Sequence, residues 1–255
     1  MFGTVLPMLA KSHLALVATG AICGVLGGAG TSVVMSHWAP ANRAATELVI
    51  HDYLLAHPEV LPEAMDRLRQ NETGMQLASL RDDVFKPVPS AVLGNPNGRV
   101  TLVEFTDFAC GYCRRSVADL AQLTAANPDL RVVVHELPIL TPESRDAAKM
   151  ALVAAGQGRY AAFYTAMFTI GHPDARSIAA AAKAAGLDMA RAQTALADPR
   201  LDAAIDRNLD LARKLGISGT PTWVVGNSML AGAVGAEQLA KAIAAASPPH
   251  RDVAG

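Results

Sequence analysis

A strand-like run ends directly before two closely spaced cysteines, and this junction constrains the fold more than any other feature of the chain. Residues 99–108, "RVTLVEFTDF", are rich in β-branched and aromatic residues and predict a strand. Residues 110–126 then predict a helix that ends near Asn127-Pro128. Residues 130–140, "LRVVVHELPIL", predict a second strand, which should be parallel to the first because a helix lies between them.

The rest of the chain extends this pattern into an α/β fold. Residues from about 142 to 215 predict a helical insertion, with breaks at 156–158, 172–173, 186 and 198–199. The run "TPTWVVGNSMLAGA" predicts two short strands around Gly226-Asn227, and residues 236–246 predict a last helix. The predicted order is therefore β-α-β, a helical insertion, then β-β-α.

The first forty residues differ in composition from the rest. Residues 14–36 contain no Asp, Glu, Lys or Arg, and a helix of this length spans the core of a bilayer. This favours an uncleaved signal-anchor, whereas Ala39-Pro40-Ala41 has the small-x-small form of a cleavage site and leaves cleavage after Ala41 as the alternative. Under either interpretation of residues 1–41 the remainder of the chain is exported, which predicts a periplasmic or extracytoplasmic protein.

Residues 42–87 predict a helical segment with an apolar stripe. The stripe recurs at helical intervals in two helices and comprises Leu48, Val49, Tyr53, Leu54, Val60, Leu61, Ala64, Met65 and Leu68. It either packs on its own domain or forms an arm through which copies of the chain associate. Prolines and glycines from Pro87 to Gly98 then place a domain boundary near residue 88, so that residues 88–250 form the second domain.

Charge and cysteine content exclude several kinds of function. The 22 basic residues are balanced by 23 acidic ones without a basic stripe, so no nucleic-acid partner is predicted. A closed zinc site needs four ligands, and the chain has one further cysteine, Cys23, in the apolar segment, with no second C-x-x-C or H-x₃₋₅-H. A disulfide between Cys110 and Cys113 closes too short a loop to serve as a structural staple. Redox chemistry remains, without a metal or other cofactor.

The position of the cysteines supports that chemistry. Cys110 stands at a helix N-terminus, where unpaired backbone N–H groups and the helix dipole stabilise a thiolate. Cys113, one turn further into the helix, should be more buried. Cys110 is thus predicted to be the attacking thiol, and Cys113 the thiol that resolves the mixed disulfide and releases the partner protein.

Three motifs around the cysteines resemble those of a known family. "GNPNGRVTLVEFTDFACGYC", "HELPILTPES" and "GISGTPTWVVG" follow one another in the order and spacing of the DsbA-like thiol-disulfide oxidoreductases, which have the thioredoxin fold. The upstream "IHDYLLAHPEVLPEAMDRL" is similar to the N-terminal helical segment of a bacterial branch that includes the ScsC proteins, some of which oligomerise through it. The resemblance implies a thioredoxin fold with an inserted helical subdomain, preceded by the membrane or signal segment and the helical arm.

The resemblance also implies roles for four residues beyond the cysteines. Thr220-Pro221 matches the family's cis-proline position, where the backbone pairs with substrate; a lone Thr-Pro is otherwise an ordinary trans turn. Tyr112, which lies between the two cysteines, is assigned to substrate binding together with Thr220 and Pro221. Glu104 matches a buried acid that assists proton transfer, and the alternative is a carboxylate facing a sheet edge.

The implied partners are cysteine-containing exported proteins, a membrane redox partner that recycles the cysteine pair, and further copies of this chain bound through residues 42–87. His135 is a lesser candidate for tuning the site, since a lone strand histidine is more often packed or exposed. Arg114 and Arg115 are predicted to be a solvated helix face. The residues leave open whether disulfides are formed, reduced or isomerised. The competing hypothesis is a thioredoxin-fold adaptor or chaperone that binds polypeptides and whose cysteines are incidental.

Overall fold

The computed structural model describes residues 43–86 and 91–246. The chain divides into two compact units, one ending at Asp66 and the other beginning at Arg67. Helix α1 is described over residues 43–56, and α2 (Val60–Ser79) contains the point of division. No helix among the described residues has the length and apolar character needed to cross a membrane. The predicted membrane segment, residues 14–36, lies outside them.

A five-stranded mixed sheet organises the second unit. Its strands are β1 (Val92–Gly94), β2 (Val100–Thr106), β3 (Leu130–Glu136), β4 (Thr222–Val225) and β5 (Ser228–Ala231), arranged in the order β1-β3-β2-β4-β5. Helix α4 (Gly111–Ala126) connects β2 to β3, and these two strands are parallel, as predicted. The other three pairings are antiparallel. Strand β1 was not predicted, because three residues are too few to show an alternating pattern.

The predicted helical insertion contains five helices, and the predicted breaks fall between them. They are α5 (Pro142–Gly156), α6 (Tyr160–Ile170), α7 (Ala175–Ala184), α8 (Met189–Ala195) and α9 (Pro199–Lys214). Side chains of Thr141, Asp174, Asp188 and Asp198 cap four of these helices at the N-terminus. Two further helices of this unit are α3 (Arg81–Phe85) and α10 (Ala236–Ala246). Glycines and prolines stand at each of these breaks and interrupt helices, which is why the breaks could be located from the sequence.

The two faces of the sheet pack against different helices. Leu102, Val132 and Val134 belong to a core shared with α4 and α6. Val103, Phe105 and Val133 belong to a second core shared with α3 and α9. Because side chains alternate along a strand, Glu104 and Thr106 lie on the face of β2 that α4 and α6 cover. This alternation brings the polar residues of β2 beneath the cysteine-bearing helix.

His135 lies on the opposite face and is a packed core residue. It is 1% exposed, and its ring nitrogens are hydrogen-bonded to Asn208 Oδ1 at 3.0 Å and to the Val84 carbonyl at 2.8 Å. Burial lowers the pKa of this imidazole, which favours its neutral form. These contacts tie β3 to α3 and α9, so His135 supports the scaffold and does not tune the cysteine pair.

Candidate active site

Cys110 is the N-cap of α4, and Cys113 lies in the first turn of that helix. The backbone N–H of Cys113 donates a hydrogen bond to Cys110 Sγ at 3.4 Å. The Cys110 sulfur therefore faces the free N–H groups at the helix start, as predicted from its position in the sequence. Both cysteines are free thiols in this structure.

The exposed fractions of the two cysteines differ less than expected. Cys113 is completely buried, whereas Cys110 is 5% exposed, so their order follows the prediction although Cys110 is itself largely covered. Burial, and next the nearby Glu104 carboxyl, raise the pKa of the Cys113 thiol well above its ordinary range. Cys113 can attack only after its proton has left, so the site needs a nearby proton acceptor.

Glu104 on β2 is a buried carboxyl close enough to Cys113 to raise the pKa of its thiol. It is completely buried, and Tyr164 Oη on α6 donates to its two oxygens, at 3.1 Å to Oε1 and 2.9 Å to Oε2. Burial raises the pKa of Glu104 to about 7, although hydrogen bonding by Tyr164 and Thr106 opposes the shift. The alternative of a carboxylate facing a sheet edge is therefore excluded, and Glu104 can exchange a proton near neutral pH.

The loop before β4 closes the site from the other side. The Thr220-Pro221 peptide bond is cis, as the resemblance implied. The Cys110 thiol donates to the Thr220 carbonyl oxygen at 3.2 Å. The segment that the sequence assigned to substrate binding therefore contacts the sulfur assigned to attack.

A groove of about 380 Å³ runs beside this contact. Tyr112, Thr220 and Pro221 all line it, together with apolar side chains such as Met229. Tyr112 is 58% exposed, and the Arg115 guanidinium lies 4.3 Å from the centre of its ring. The structure thus brings the three predicted substrate-binding residues together along one groove.

Asp107 is a site residue that the sequence reasoning missed. Its Oδ1 accepts the Ala109 N–H at 2.8 Å, while its Oδ2 accepts the N–H groups of Ile139 at 2.9 Å and Leu140 at 3.0 Å. This buried carboxylate joins the turn that leads into Cys110 to the loop after β3. An Asp at the end of a strand signals a turn, but the sequence could not show that a loop thirty residues away supplies the other two donors.

Replacing Asp107 by Ala should loosen the entry to α4. The change leaves three backbone N–H groups without their acceptor, and we expect the free energy of unfolding to fall by about 2 kcal/mol. Urea denaturation of the reduced protein measures this quantity. Asp146→Ala, at an exposed site on α5, is the matched control and should change it by less than about 0.5 kcal/mol. Equal effects of the two substitutions would show that Asp107 does not anchor the turn.

The described residues hold no group of three His, Cys, Asp or Glu side chains arranged to bind a metal ion. The site brings together two thiols, a buried carboxyl whose pKa is raised to about 7, and a groove beside them.

Comparison with solved structures finds the same architecture in several bacterial proteins. A thioredoxin-like oxidoreductase from Silicibacter pomeroyi is 40% identical, with a TM-score of 0.62 over 65% of this chain and 96% of that one. The thiol-disulfide exchange protein alpha-DsbA2 from Wolbachia pipientis is 28% identical, with a TM-score of 0.66 over 71% and 98%. A linker-deletion mutant of Proteus mirabilis ScsC is 29% identical, with a TM-score of 0.64 over 80% and 94%. The chain has the thioredoxin-like α/β fold of the DsbA-like oxidoreductases.

The curated relatives that match are much longer proteins. One is a Na(+)/H(+) antiporter NhaA from Herminiimonas arsenicoxydans, 30% identical over 173 residues, and this chain spans only 28% of its length. The other two are also antiporters, of which this chain spans 28% and 24%.

Two family models match separate parts of the chain. Residues 43–73 match the N-terminal domain of the copper resistance protein ScsC. Residues 101–244 match the DSBA-like thioredoxin domain, and this range includes both cysteines, Glu104 and the cis-proline loop. Since the second match covers more than half of the chain, the protein belongs to the family of DSBA-like thioredoxin domains.

Proposed function

We propose that this chain is a thiol-disulfide oxidoreductase that acts on cysteine-containing exported proteins through Cys110 and Cys113. The observation that carries the proposal is the position of the Cys110 sulfur. It lies between the N–H of Cys113 at the helix start and the carbonyl of Thr220, beside an open groove. A sulfur held in this way can exchange with a disulfide of a polypeptide that binds along the groove.

The exchange has two steps, each of which makes one S–S bond and breaks another. The Cys110 thiolate attacks a substrate disulfide, forms a mixed disulfide, and expels one substrate thiolate, which takes a proton. Cys113 then gives its proton to the Glu104 carboxylate and attacks Cys110 Sγ, so that the second substrate thiolate leaves. The reverse sequence introduces a disulfide, and the reduction potential of the pair determines the net direction.

Substrate binding is assigned to Tyr112, Thr220 and Pro221. The proposal rests on their common groove and on the exposed ring of Tyr112, which offers an apolar contact next to Cys110. An extended chain that pairs with the backbone at Thr220 would place its own cysteine near the Cys110 sulfur. This arrangement suits unfolded or partly folded polypeptides better than compact proteins.

The partners and the location are proposed on the same basis. We assign the protein to an extracytoplasmic compartment, because disulfides form and persist in the proteins of oxidising compartments. Residues 14–36 are assigned as its anchor, because this run without Asp, Glu, Lys or Arg is long enough to span a bilayer core as a helix. A membrane redox partner would recycle the cysteine pair.

Self-association is proposed for residues 42–87. It is supported by the ScsC match over residues 43–73 and by the exposure of Leu48, Val49, Tyr53 and Leu61, each at least half exposed. Sedimentation of the full chain measures its mass in solution and so distinguishes a single chain from an assembly of several chains.

The double substitution Cys110→Ser/Cys113→Ser tests the enzymatic function. We expect it to abolish insulin reduction and the refolding of scrambled ribonuclease, because no other cysteine lies in the described residues to carry the exchange. Binding of reduced, unfolded ribonuclease should persist, since Tyr112 and the groove are unchanged. Full activity of the double variant would instead favour the alternative, a polypeptide-binding adaptor with incidental cysteines.

A further inference from the structure

A cavity of about 630 Å³ lies in the helical insertion, apart from the cysteine pair. Its walls come from the end of α5, from α8 and from the first half of α9. Ala204 on α9 is one of the lining residues, and the helix continues from it for about 15 Å before it ends ahead of the cis-proline loop. The thiol exchange therefore gives no reason for this cavity.

The inner wall of the cavity is apolar. Leu152 and Val153 of α5 and Ala204 of α9 line it, and each of these side chains is at most 4% exposed. Ala195 and Leu201 lie beside them and are partly buried. Cavities of about 300–1,000 Å³ with mostly apolar walls and a few polar groups are typical of sites for small ligands.

The outer edge of the cavity is basic. Three exposed arginines line it, Arg191, Arg200 and Arg207, against a single carboxylate, Asp198. That carboxylate is already engaged, because its Oδ1 accepts the Arg200 backbone N–H at 2.9 Å and its Oδ2 accepts the Arg200 Nε at 2.8 Å. In the part of the chain that the structure describes, no carboxylate pairs with Arg191 or Arg207. Two guanidinium groups are thus available to an anion beside an apolar space.

The local structure fixes the cavity and leaves one edge of it open. The backbone N–H of Asp188 donates to Gln157 Oε1 at 2.8 Å, and Gln157 Nε2 donates to the Asp188 carbonyl at 3.1 Å, which ties the end of α5 to the start of α8. Gly156, the last residue of α5, also lines the cavity. A Cβ at Gly156 would meet no heavy atom outside its own stretch of helix within 4 Å, and its φ is not positive. Neither packing nor backbone conformation requires a glycine there, and its missing side chain leaves room at the edge.

We propose that this cavity binds an anionic amphiphile with one alkyl chain, such as an alkyl carboxylate or an alkyl phosphate. The chain lies against Leu152, Val153 and Ala204, while Arg191 and Arg207 bind the head group. A guanidinium fork matches the oxygens of either head group, and the apolar wall excludes water from the chain. Binding involves no covalent step. The site goes beyond the proposed thiol-disulfide exchange and does not depend on it.

Photolabelling of the full-length protein in lipid nanodiscs tests the site without a competing detergent. The probe is decanoic acid with a diazirine at the far end of its chain, and mass spectrometry of the digested protein locates the label. We expect the label on peptides that contain residues 152–157 and 198–207. The corresponding alcohol should label them about tenfold less, because it offers no charge to the two arginines. Excess decanoate and excess decyl phosphate should each reduce the label, and the stronger competitor identifies the preferred head group.

Variants separate the basic edge from the apolar wall. Arg191→Gln/Arg207→Gln should reduce the carboxylate label about tenfold and leave the weak alcohol label unchanged. Arg176→Gln, at an exposed arginine on α7 outside the cavity, is the matched control and should change neither. Gly156→Leu should fill the open edge and abolish both labels, whereas Gly156→Ala adds one methyl group and should keep them.

Equal labelling by the alcohol and the carboxylate would overturn the proposal, because the arginines would then contribute nothing. Undiminished carboxylate label in the double arginine variant, or label spread evenly over the chain, would overturn it as well, since either result means partition onto apolar surface in general. The double variant Cys110→Ser/Cys113→Ser should be labelled as the wild type is. Failure of the thiol exchange would therefore leave this site standing, and loss of the site would leave the exchange standing.

Discussion

Cys113→Ser is expected to accumulate a covalent complex between Cys110 and a substrate protein. In the reduced variant, Cys110 still lies at the N-cap of α4 and can attack a disulfide such as those of insulin. The serine hydroxyl cannot displace the substrate sulfur, so each molecule should stop after one event. Mass spectrometry under non-reducing conditions should detect a mixed disulfide at Cys110, which reductant then releases.

Cys110→Ser is the matched control, because it leaves one cysteine in the same helix turn. Cys113 is completely buried, and burial and Glu104 raise the pKa of its thiol, so that it is both hidden and mostly protonated. We therefore expect this variant to form no complex within the time in which Cys113→Ser reacts fully. Equal trapping by both variants would contradict the assignment of Cys110 as the attacking thiol.

The local order of the sheet and the position of the cysteines could be predicted from the sequence because short-range signals determine them. These signals are the β-rich run before Cys110, the glycines and prolines that divide the insertion into helices, and the glycine turn at Gly226, and each of them depends only on neighbours in the chain. Strand β1 carried no such signal, and its pairing with β3 depends on contacts forty residues apart. Burial of Cys110 was underestimated because the loop at Thr220 that covers it is distant in sequence.

The polar interior of the site could be predicted only in part. Glu104 was found because an acidic residue within an apolar strand is unusual, and its burial is confirmed. The sequence did not indicate its partner Tyr164 or the second pair, Glu136 and Tyr160. Two tyrosines four residues apart on α6 look like ordinary core residues. Only the packing of α6 over the ends of β2 and β3 shows that their hydroxyls meet carboxyls.

Glu104→Gln should make the protein more stable, and by an amount that grows with pH. The pKa of Glu104 is about 7 in the folded protein, against an ordinary value of 4.5. Between these two values the folded state binds more protons than the unfolded state, so the wild-type stability that this group contributes is present below about pH 4.5 and is lost as pH rises through 7. A glutamine is neutral throughout and keeps an acceptor for Tyr164. The gain in unfolding free energy of the variant over wild type should increase by about 3 kcal/mol from acidic pH to pH 8.

Urea denaturation of both reduced proteins across this range measures that difference, and the other buried groups, Glu136 and His135, titrate in both proteins and largely cancel. Glu72→Gln, at an exposed site on α2, should show no such trend.

Glu104→Gln also removes the acceptor for the Cys113 proton, so resolution of the mixed disulfide should slow by roughly 10²-fold at neutral pH. A more stable but slower variant would mean that the buried charge opposes folding and serves catalysis. A stability difference that stays flat with pH would show that Glu104 does not titrate near neutrality, and would remove it as the proton acceptor.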